Sequence, residues 1–404
     1  MIKNDRFDLC IVGGAGHVGV PLALVLVDSG FTVLILDINK AAMSKMAAGQ
    51  LPFLEEGGEP LLKSVLSSGR LGFTAEAKDV SKADSVVLTV GTPIDEFHNP
   101  NLSLLTRCLD DLLPFLRDDQ TLILRSTVAP GTTVFIDNYL KRQGRKTGLA
   151  FCPERVVQGK GIEEIRALPQ LVSGTSPGAV AVATGIFSKI APEVVEMTPH
   201  EAEFAKLICN AFRYIQFAAT NQLYMMVESA GLNYNDLLQK MKLGYSRLNS
   251  IPGPGFAAGP CLMKDTMQLF AFQKHSFILG QVATTINEGM PNFIVETLAK
   301  KFDLPKTKVG ILGMAFKADS DDIRDSLSYK LGKLLRYSLA QVYYADEYVK
   351  DSTFVDTETL VKECDVIIVG VPHTAYRNLR IPDSKHVVDL WSVLPRGGDG
   401  RASP

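Results

Sequence analysis

The chain has 404 residues, of which 46% are hydrophobic and 21% charged, a composition typical of soluble globular proteins. Its length exceeds what one hydrophobic core organises, so we expect two or three domains. The 42 lysines and arginines nearly balance the 44 aspartates and glutamates, leaving a net charge of -2. This balance excludes an extended basic surface, so we expect neither nucleic acid nor a membrane as a partner.

The six cysteines are dispersed and include no Cys-x-x-Cys pair. Their spacing indicates neither a zinc site nor a disulfide framework, so we expect no metal and a reducing compartment. The apolar stretch at 9–27 is interrupted by glycines and by Pro21. It predicts a strand, a loop and a helix rather than a signal peptide or a membrane span, and hence a cytoplasmic protein.

Nearly continuous apolar runs alternate with helical stretches through the first two hundred residues. Such runs are typical of strands covered by helices on both faces, as in a parallel sheet. They lie at 9–12, 32–36, 85–90 and 121–124, followed by weaker runs at 148–151 and 170–173.

The centre of the chain has helical character. Residues 199–231 contain no helix breaker, helical signals continue to 242, and a second helical stretch is predicted from about 265 to 301. Apolar runs then return at 309–313, 341–346, 365–370 and 386–389, after a polar boundary at 303–308. The tail, 397–404, has linker composition.

The later runs repeat the order of the first ones, and Asp346 ends its run as Asp37 does. The pattern therefore predicts an α/β protein with two doubly wound, Rossmann-like sheet domains joined by a central helical domain. The predicted domain bounds are 1–198, 199–302 and 303–404.

A G-x-G-x-x-G motif, Gly14-Ala15-Gly16-His17-Val18-Gly19, follows the first strand and opens a helix. Gly14 permits a tight turn, Gly16 lets backbone N–H groups approach a pyrophosphate, and Gly19 allows close helix packing. Asp37 would accept hydrogen bonds from ribose hydroxyls and repel a 2′-phosphate, which favours NAD over NADP. The alternative is a glycine-rich turn without a ligand, which this full context disfavours.

Two later strand ends, Gly91-Thr92-Pro93 and Arg125-Ser126-Thr127-Val128, lie where open α/β sheets bind ligands. Each could instead be a tight turn with a helix cap.

The segment 252–261 is almost entirely Gly, Pro, Ala and Phe, and it delivers Cys261 directly before a predicted helix. A helix N-terminus favours a thiolate, and Asp265 lies one helical turn further on. A lone cysteine is more often a small buried hydrophobe. The shaped loop, the helix start and the neighbouring acid together favour a nucleophile.

Lys206 and Asn210 lie four residues apart on one predicted helix, where an ammonium and an amide could stabilise a developing alkoxide. Without other evidence, such a pair is more often part of a solvent-exposed helix face. Glu154 follows a strand in Cys152-Pro153-Glu154-Arg155, where backbone capping is the alternative role.

In order and spacing these motifs resemble the UDP-glucose/GDP-mannose dehydrogenase family over nearly the whole chain. The remaining motifs that carry the resemblance are Pro130-Gly131-Thr132, Gly259-Pro260-Cys261 with Lys264-Asp265, and Gly313-Met314-Ala315-Phe316-Lys317 with Asp322-Ile323-Arg324-Asp325-Ser326.

The resemblance implies a four-electron, NAD-dependent oxidation of a nucleotide sugar at C6, from CH2OH to carboxylate. Cys261 would carry a thiohemiacetal and then a thioester. UDP-glucose, giving UDP-glucuronate, is the first expectation; a UDP-N-acetylhexosamine or GDP-mannose is the alternative.

The resemblance also implies roles for individual residues. Catalytic residues would be Cys261, Lys206, Asn210, Asp265, Glu154 and Thr127, the last three ordering or activating water. NAD would contact Gly14, Gly16, His17, Val18, Gly19, Asp37, Gly91, Thr92, Thr127, Lys264 and Arg324. The nucleotide sugar would contact Glu154, Arg155, Lys206, Asn210, Arg247, Phe256, Gly259, Phe316 and Lys317, with Arg247 reaching a neighbouring subunit's site in a homodimer or higher oligomer.

Some positions depart from the family pattern. Gln158 stands where some UDP-glucose members carry a second glutamate, and Pro260 replaces a Ser or His. Lys264-Asp265 resembles the UDP-glucose enzymes, whereas Pro153-Glu154-Arg155 and 252–255 lean towards the N-acetylhexosamine branch. These cues leave the sugar open.

Two rival functions use the same fold. A two-electron dehydrogenase of the β-hydroxyacid type would use Lys206 and Asn210 but leave Cys261 and the second sheet without a role. A non-catalytic NAD-binding regulator is the alternative from another class.

Overall fold

The computed structural model describes residues 6–395, and the predicted linker at 397–404 lies outside them. The chain forms two compact units, Met1–Cys209 with Ala271–Gln273, and Asn210–Phe270 with Lys274–Pro404. The predicted division into three domains at 198 and 302 stays a prediction. Within residues 6–395, no helix is both long and apolar enough to cross a membrane.

The first unit is built on an eight-stranded sheet in the order β3-β2-β1-β4-β5-β6-β7-β8. All neighbouring strands are parallel except β6 and β7, which are antiparallel. The strands are β1 (Phe7–Val12), β2 (Val33–Leu36), β3 (Leu71–Thr74), β4 (Ala83–Leu88), β5 (Thr121–Leu124), β6 (Gly148–Phe151), β7 (Gln170–Gly174) and β8 (Val194–Glu196).

Helices connect these strands. They are α1 (Gly19–Asp28), α2 (Lys40–Ala47), α3 (Gly58–Ser67), α4 (Ser103–Leu112), α5 (Thr132–Arg142), α6 (Gly161–Ala167) and α7 (Pro177–Phe187). Alternate residues of β1 enter two different cores: Leu9 and Ile11 pack into one, Cys10 and Val12 into the other. Burial on both faces explains why this strand is apolar at every position from 9 to 12, whereas Asp8 near its start is exposed.

The central helices are α8 (Pro199–Ser229), α9 (Tyr234–Lys242), α10 (Leu262–Phe272) and α11 (Ile278–Ala299). The single helical stretch predicted from 265 to 301 is therefore wrong. The chain breaks between α10 and α11, where Lys274 and His275 have positive φ angles of 50° and 64°. A helix cannot continue through two residues of left-handed backbone.

The second unit contains a four-stranded parallel sheet in the order β10-β9-β11-β12. Its strands are β9 (Lys308–Leu312), β10 (Gln341–Ala345), β11 (Val366–Val369) and β12 (His386–Val388), with helices α12 (Leu327–Tyr337) and α13 (Thr357–Glu363) between them. The two parallel-dominated sheets and the helical region between them in the chain confirm the predicted α/β fold class.

Candidate active site

The glycine motif forms the turn between β1 and α1. The glycine of this turn with a positive φ, 75°, is Gly13, which precedes the motif. Gly14 is required for another reason, since a Cβ there would lie 2.7 Å from the Ile11 carbonyl oxygen. A Cβ on Gly19 would lie 2.5 Å from Gly14 Cα. The helix start therefore packs directly on the turn, leaving Gly16, whose nearest neighbour is 3.4 Å away, the least crowded of these glycines.

Asp37 follows β2 and faces the same turn. Its carboxylate accepts hydrogen bonds from the N–H groups of Ala15 at 2.9 Å and Asn39 at 2.8 Å. The side chain remains partly exposed, so its oxygens can also accept ribose hydroxyls. The crowded turn, the open Gly16 and this acceptor fit the adenosine diphosphate half of NAD.

His17, the variable residue of the motif, packs its ring on Phe53 with centroids 3.9 Å apart. The side-chain amide nitrogen of Gln158 lies 3.0 Å from His17 Nδ1. The departure at Gln158 therefore contacts the predicted cofactor turn. Val18, predicted to contact NAD, is the residue before α1.

The loops after β4 and β5 contact each other. Thr92 Oγ1 donates a hydrogen bond to the Thr127 carbonyl, and Ser126 Oγ donates one to the Val90 carbonyl at 2.6 Å. Gly91 is exposed, and a Cβ there would meet no atom within 4 Å. The three predicted residues Gly91, Thr92 and Thr127 thus share one edge of the first sheet.

Glu154 lies beyond β6 in a buried ion pair with Arg125, a pairing that the sequence did not predict. Its other oxygen accepts the N–H groups of Arg155 at 2.7 Å and Val156 at 2.8 Å. Arg125 is 1% exposed and also donates to Gln170 Oε1 at 2.6 Å. Each Glu154 oxygen therefore has a partner, and the two backbone N–H groups correspond to the capping role named as the alternative. The sequence feature that could have indicated the ion pair is an arginine directly after an apolar strand.

Arg155 donates a hydrogen bond to the Pro169 carbonyl. Lys206 lies on α8 and is 8% exposed, and within residues 6–395 its ammonium makes no hydrogen bond or ion pair. One turn earlier, buried Glu203 accepts the N–H groups of Gly131 at 2.6 Å and Thr133 at 2.7 Å, which ties α8 to the start of α5. Lys206 is therefore a mostly buried residue whose ammonium has no counterion among residues 6–395.

In the second unit, Cys261 directly precedes α10, and its carbonyl accepts the Asp265 N–H at 2.9 Å. Cys261 belongs to no disulfide, and its side chain is exposed. The Asp265 carboxylate is buried, and Asn210 Nδ2 donates to its Oδ2 at 2.6 Å. Lys264 Nζ lies 2.9 Å from Oδ1, at ion-pair distance but without hydrogen-bond geometry.

The loop after β9 contacts this segment. The Gly259 N–H donates to the Asp325 carbonyl at 3.3 Å, and a Cβ on Gly259 would lie 2.5 Å from the Phe316 ring. Arg324 has a raised pKa, first because of its hydrogen bond to Asp322 and further because of the charge on Cys261. Gly259, Cys261, Phe316 and Arg324 are thus brought together by two loops.

Gly255 holds the other end of the cysteine segment. Asn221, which sequence reasoning missed, donates to the Gly255 carbonyl and accepts its N–H, each at 2.9 Å. Asn221 also donates to Asn287 Oδ1 at 2.9 Å. The Trp391 ring lies over Gly255, so that a Cβ there would be 2.2 Å from a ring carbon.

The second unit also contains three further residues that were predicted to contact the nucleotide sugar. Phe256 is 6% exposed and packs in a hydrophobic core, so its ring is a core side chain rather than an open binding surface. Arg247 lies on an exposed turn, with its guanidinium 5.9 Å from the Tyr245 ring centroid. Lys317 is partly exposed in the loop after β9.

The first sheet, its glycine turn and the acidic residue after β2 define an NAD-binding domain. Matches to known protein families cover this domain and the rest of the chain. Residues 8–191, 200–288 and 310–396 match the NAD binding, central and UDP binding domains of the UDP-glucose/GDP-mannose dehydrogenase family. The chain belongs to this family, and it is an NAD-dependent nucleotide-sugar dehydrogenase.

Similar proteins cover almost the whole chain. A UDP-N-acetyl-D-mannosamine dehydrogenase of Pyrococcus horikoshii is 28% identical over 91% of this chain and 90% of its own length. The solved structure of UDP-D-ManNAc dehydrogenase from the same organism matches with a TM-score of 0.89 and 26% identity, covering 97% of each chain. A UDP-glucose dehydrogenase from Pyrobaculum islandicum matches with a TM-score of 0.87 and 25% identity, covering 95% of this chain and 94% of its own.

Proposed function

We propose that this dehydrogenase oxidises the C6 hydroxymethyl group of its nucleotide sugar to a carboxylate through two covalent intermediates on Cys261. The observation that carries the proposal is the position of this cysteine. Cys261 is exposed, belongs to no disulfide and directly precedes α10, one turn before a buried carboxylate that is hydrogen-bonded to Asn210. A thiol that only filled a core would be covered by apolar side chains.

The surroundings of Cys261 favour its thiolate. The N-terminus of α10 presents its partial positive charge to the sulfur, and Arg324 adds a full positive charge within electrostatic reach. A thiolate is the form that attacks a carbonyl carbon.

NAD, when bound by Gly16, Asp37 and the neighbouring turn, supplies the hydride acceptor in two successive oxidations. In the first, C6 loses a hydride and its hydroxyl loses a proton, which leaves an aldehyde. The Cys261 thiolate then adds to that carbon, and the oxygen takes a proton to form a thiohemiacetal. Loss of a second hydride and that proton gives a thioester, and water displaces the thiolate to leave the uronate.

Lys206 and Asn210 stabilise the oxyanions of these steps. Lys206 is 8% exposed and its ammonium has no counterion within the described residues, so it is available to stabilise a developing alkoxide by charge. Asn210 donates one amide hydrogen to Asp265 and has a second to offer. Asp265 thereby orients Asn210 and holds water for hydrolysis.

Glu154 acts by holding the turn at 154–156 rather than by accepting a proton. One carboxylate oxygen is paired with Arg125, and the other accepts two backbone N–H groups. Thr127 is then the better candidate to order water at this edge of the first sheet.

The substrate that we propose is a UDP-N-acetylhexosamine. The names of the similar proteins from Pyrococcus horikoshii support it, as do the motif cues at 153–155 and 252–255. UDP-glucose is the second candidate, because the sequence Lys264-Asp265 resembles that of UDP-glucose enzymes and because a UDP-glucose dehydrogenase is also a close structural match.

An assay of NADH formation across UDP-N-acetylhexosamines, UDP-glucose and GDP-mannose tests both proposals. We expect two NADH per sugar consumed and the highest kcat/KM with an N-acetylated sugar. Cys261→Ala should abolish uronate formation, while Cys209→Ala, at an exposed thiol outside the proposed chemistry, should not. One NADH per sugar, or uronate formed at the full rate by the alanine variant, contradicts the covalent route.

We also propose that the enzyme is a homodimer in which Arg247 completes the neighbouring subunit's site. Large apolar side chains on α8 and after α9 support an interface, since Phe212, Met226 and Leu243 are 59%, 61% and 87% exposed. Light scattering measures the assembly. Arg247→Ala and Cys261→Ala should each be inactive alone, but co-expressed subunits should regain activity only if Arg247 acts across the interface.

A further inference from the structure

We infer that Trp391 is a positioning residue that holds the Gly255 end of the cysteine segment and thereby sets the reach of Cys261. The inference rests on the covalent route proposed above. Trp391 lies in the turn after β12, far along the chain from the cysteine, so no local motif connects the two.

The contact between Trp391 and Gly255 is tight. A Cβ at position 255 would lie 2.2, 2.3 and 2.5 Å from three carbons of the indole ring, so the ring lies directly over the glycine backbone. Gly255 has a φ of 147°, which L side chains rarely adopt. The ring therefore occupies the space that any side chain at position 255 would fill.

Trp391 is itself held in place. Its indole N–H donates to the Gly370 carbonyl at 3.3 Å, directly after β11. Its backbone N–H donates to Asp389 Oδ1 at 3.2 Å, while Asp389 Oδ2 accepts the Leu394 N–H at 2.9 Å. The ring is thus a rigid projection of the second sheet rather than a mobile surface side chain.

The cysteine segment is consequently clamped at two places. At Gly255 the Trp391 ring packs against the Cα, and Asn221 hydrogen-bonds the N–H and the carbonyl. At Gly259 the Phe316 ring packs against the Cα, and the Asp325 carbonyl accepts the N–H. Cys261 follows the second clamp by two residues. Removing the indole leaves the first clamp with the Asn221 hydrogen bonds alone, so the thiol loses part of its fixed position.

A misplaced thiol has a specific chemical consequence. The first oxidation at C6 does not require Cys261, but capture of the aldehyde does. If the sulfur is out of reach, part of the aldehyde leaves the enzyme after two electrons rather than four. The number of NADH formed per sugar then falls below two, whatever fraction of the enzyme is folded.

The test compares Trp391→Ala and Trp391→Phe with Val388→Ala, a core truncation in β12 that leaves the indole in place. We expect Trp391→Ala to lose about tenfold or more in uronate turnover, to form fewer than two NADH per sugar, and to release aldehyde trapped by hydroxylamine. Trp391→Phe, which keeps a ring over the glycine, should restore two NADH per sugar. Val388→Ala should keep two NADH per sugar at any stability.

Gly255→Ala approaches the same contact from the other side. Its methyl group must displace the indole, and the chain's single tryptophan reports this as a change in intrinsic fluorescence. The variant should release aldehyde as Trp391→Ala does. The inference is overturned if the wild type forms two NADH per sugar and Trp391→Ala does too; a wild type that does not form two refutes the covalent route instead.

Discussion

The two sheets end their second strands in the same residue type, but the two carboxylates have different surroundings. Asp37, after β2, accepts the N–H groups of Ala15 and Asn39 and stays partly exposed. Asp346, after β10, accepts the Met314 N–H at 2.5 Å and lies 3.1 Å from Nε2 of His373, which is completely buried.

These surroundings give the two acids different roles. Asp37 keeps acceptor capacity for a ligand, whereas the capacity of Asp346 is used within the protein. Burial by itself would raise the pKa of Asp346, but the hydrogen bond and charge of His373, with N–H donors from Val349 and Met314, lower it to about 2. The same strand order therefore supports a ligand site in one sheet and a rigid polar anchor in the other.

The largest expected difference concerns stability. Asp346→Asn leaves buried His373 without its carboxylate partner and should lower the free energy of unfolding by about 3 kcal/mol. Asp37→Asn keeps an acceptor oxygen in a partly exposed place and should lower it by less than about 1 kcal/mol. Urea unfolding of both variants measures the difference, and equal losses would show that the two acids are equivalent.

Acid should reveal the Asp346 anchor directly. Its pKa is lowered from 3.8 to about 2, so its contribution to stability is complete above the unfolded value and is lost as pH falls from about 4 to about 2. The contribution is on the order of 2 kcal/mol. The stability gap between wild type and Asp346→Asn should narrow across that interval, and a constant gap would contradict the role given to His373.

Cofactor binding should respond only to the first acid. Asp37→Ala should weaken NAD binding about tenfold, equivalent to 1.4 kcal/mol, and reduce the preference over NADP, because the repulsive charge is gone. Isothermal titration with both dinucleotides measures this. Asp346→Ala, compared at a temperature where it is folded, should bind NAD like the wild type.

The smallest effect separates the two turn glycines. Gly13 and Gly313 both have positive φ, 75° and 91°, so alanine should cost about 1 kcal/mol at either position. A Cβ at Gly313 would also lie 2.6 Å from Val371 Cβ, whereas at Gly13 the nearest atom is 3.2 Å away. Gly313→Ala should therefore be the more destabilising variant in thermal unfolding.

Much of the fold could be predicted because its strands are buried on both faces. The runs at 121–124 and 148–151 coincide with β5 and β6. The edge strands β3 and β8 were not predicted, since β8 has only three residues and neither has a fully buried apolar run. The break after α10 depends on two residues in left-handed backbone, which no composition rule required at Lys274 and His275.

The candidate site divides in the same way. Cys261, Asp265, Lys206 and Asn210 could be selected because each lies at a recognisable local position on a loop or helix. Asn221, which holds the Gly255 end of the cysteine segment, could not be selected in this way. Asn221 meets Asn287 across 66 residues of chain.

Local chemistry along the chain was enough to predict most of the buried strands, the glycine turn and the candidate nucleophile Cys261, because backbone preference and apolar period act over a few residues. Only tertiary packing decided that Asp346 bonds to His373 while Asp37 keeps acceptor capacity for a ligand, and that Glu154 forms an ion pair with Arg125. Hydrogen bonds and burial between distant segments set those outcomes, and the same residue types permit either arrangement until the chain has folded.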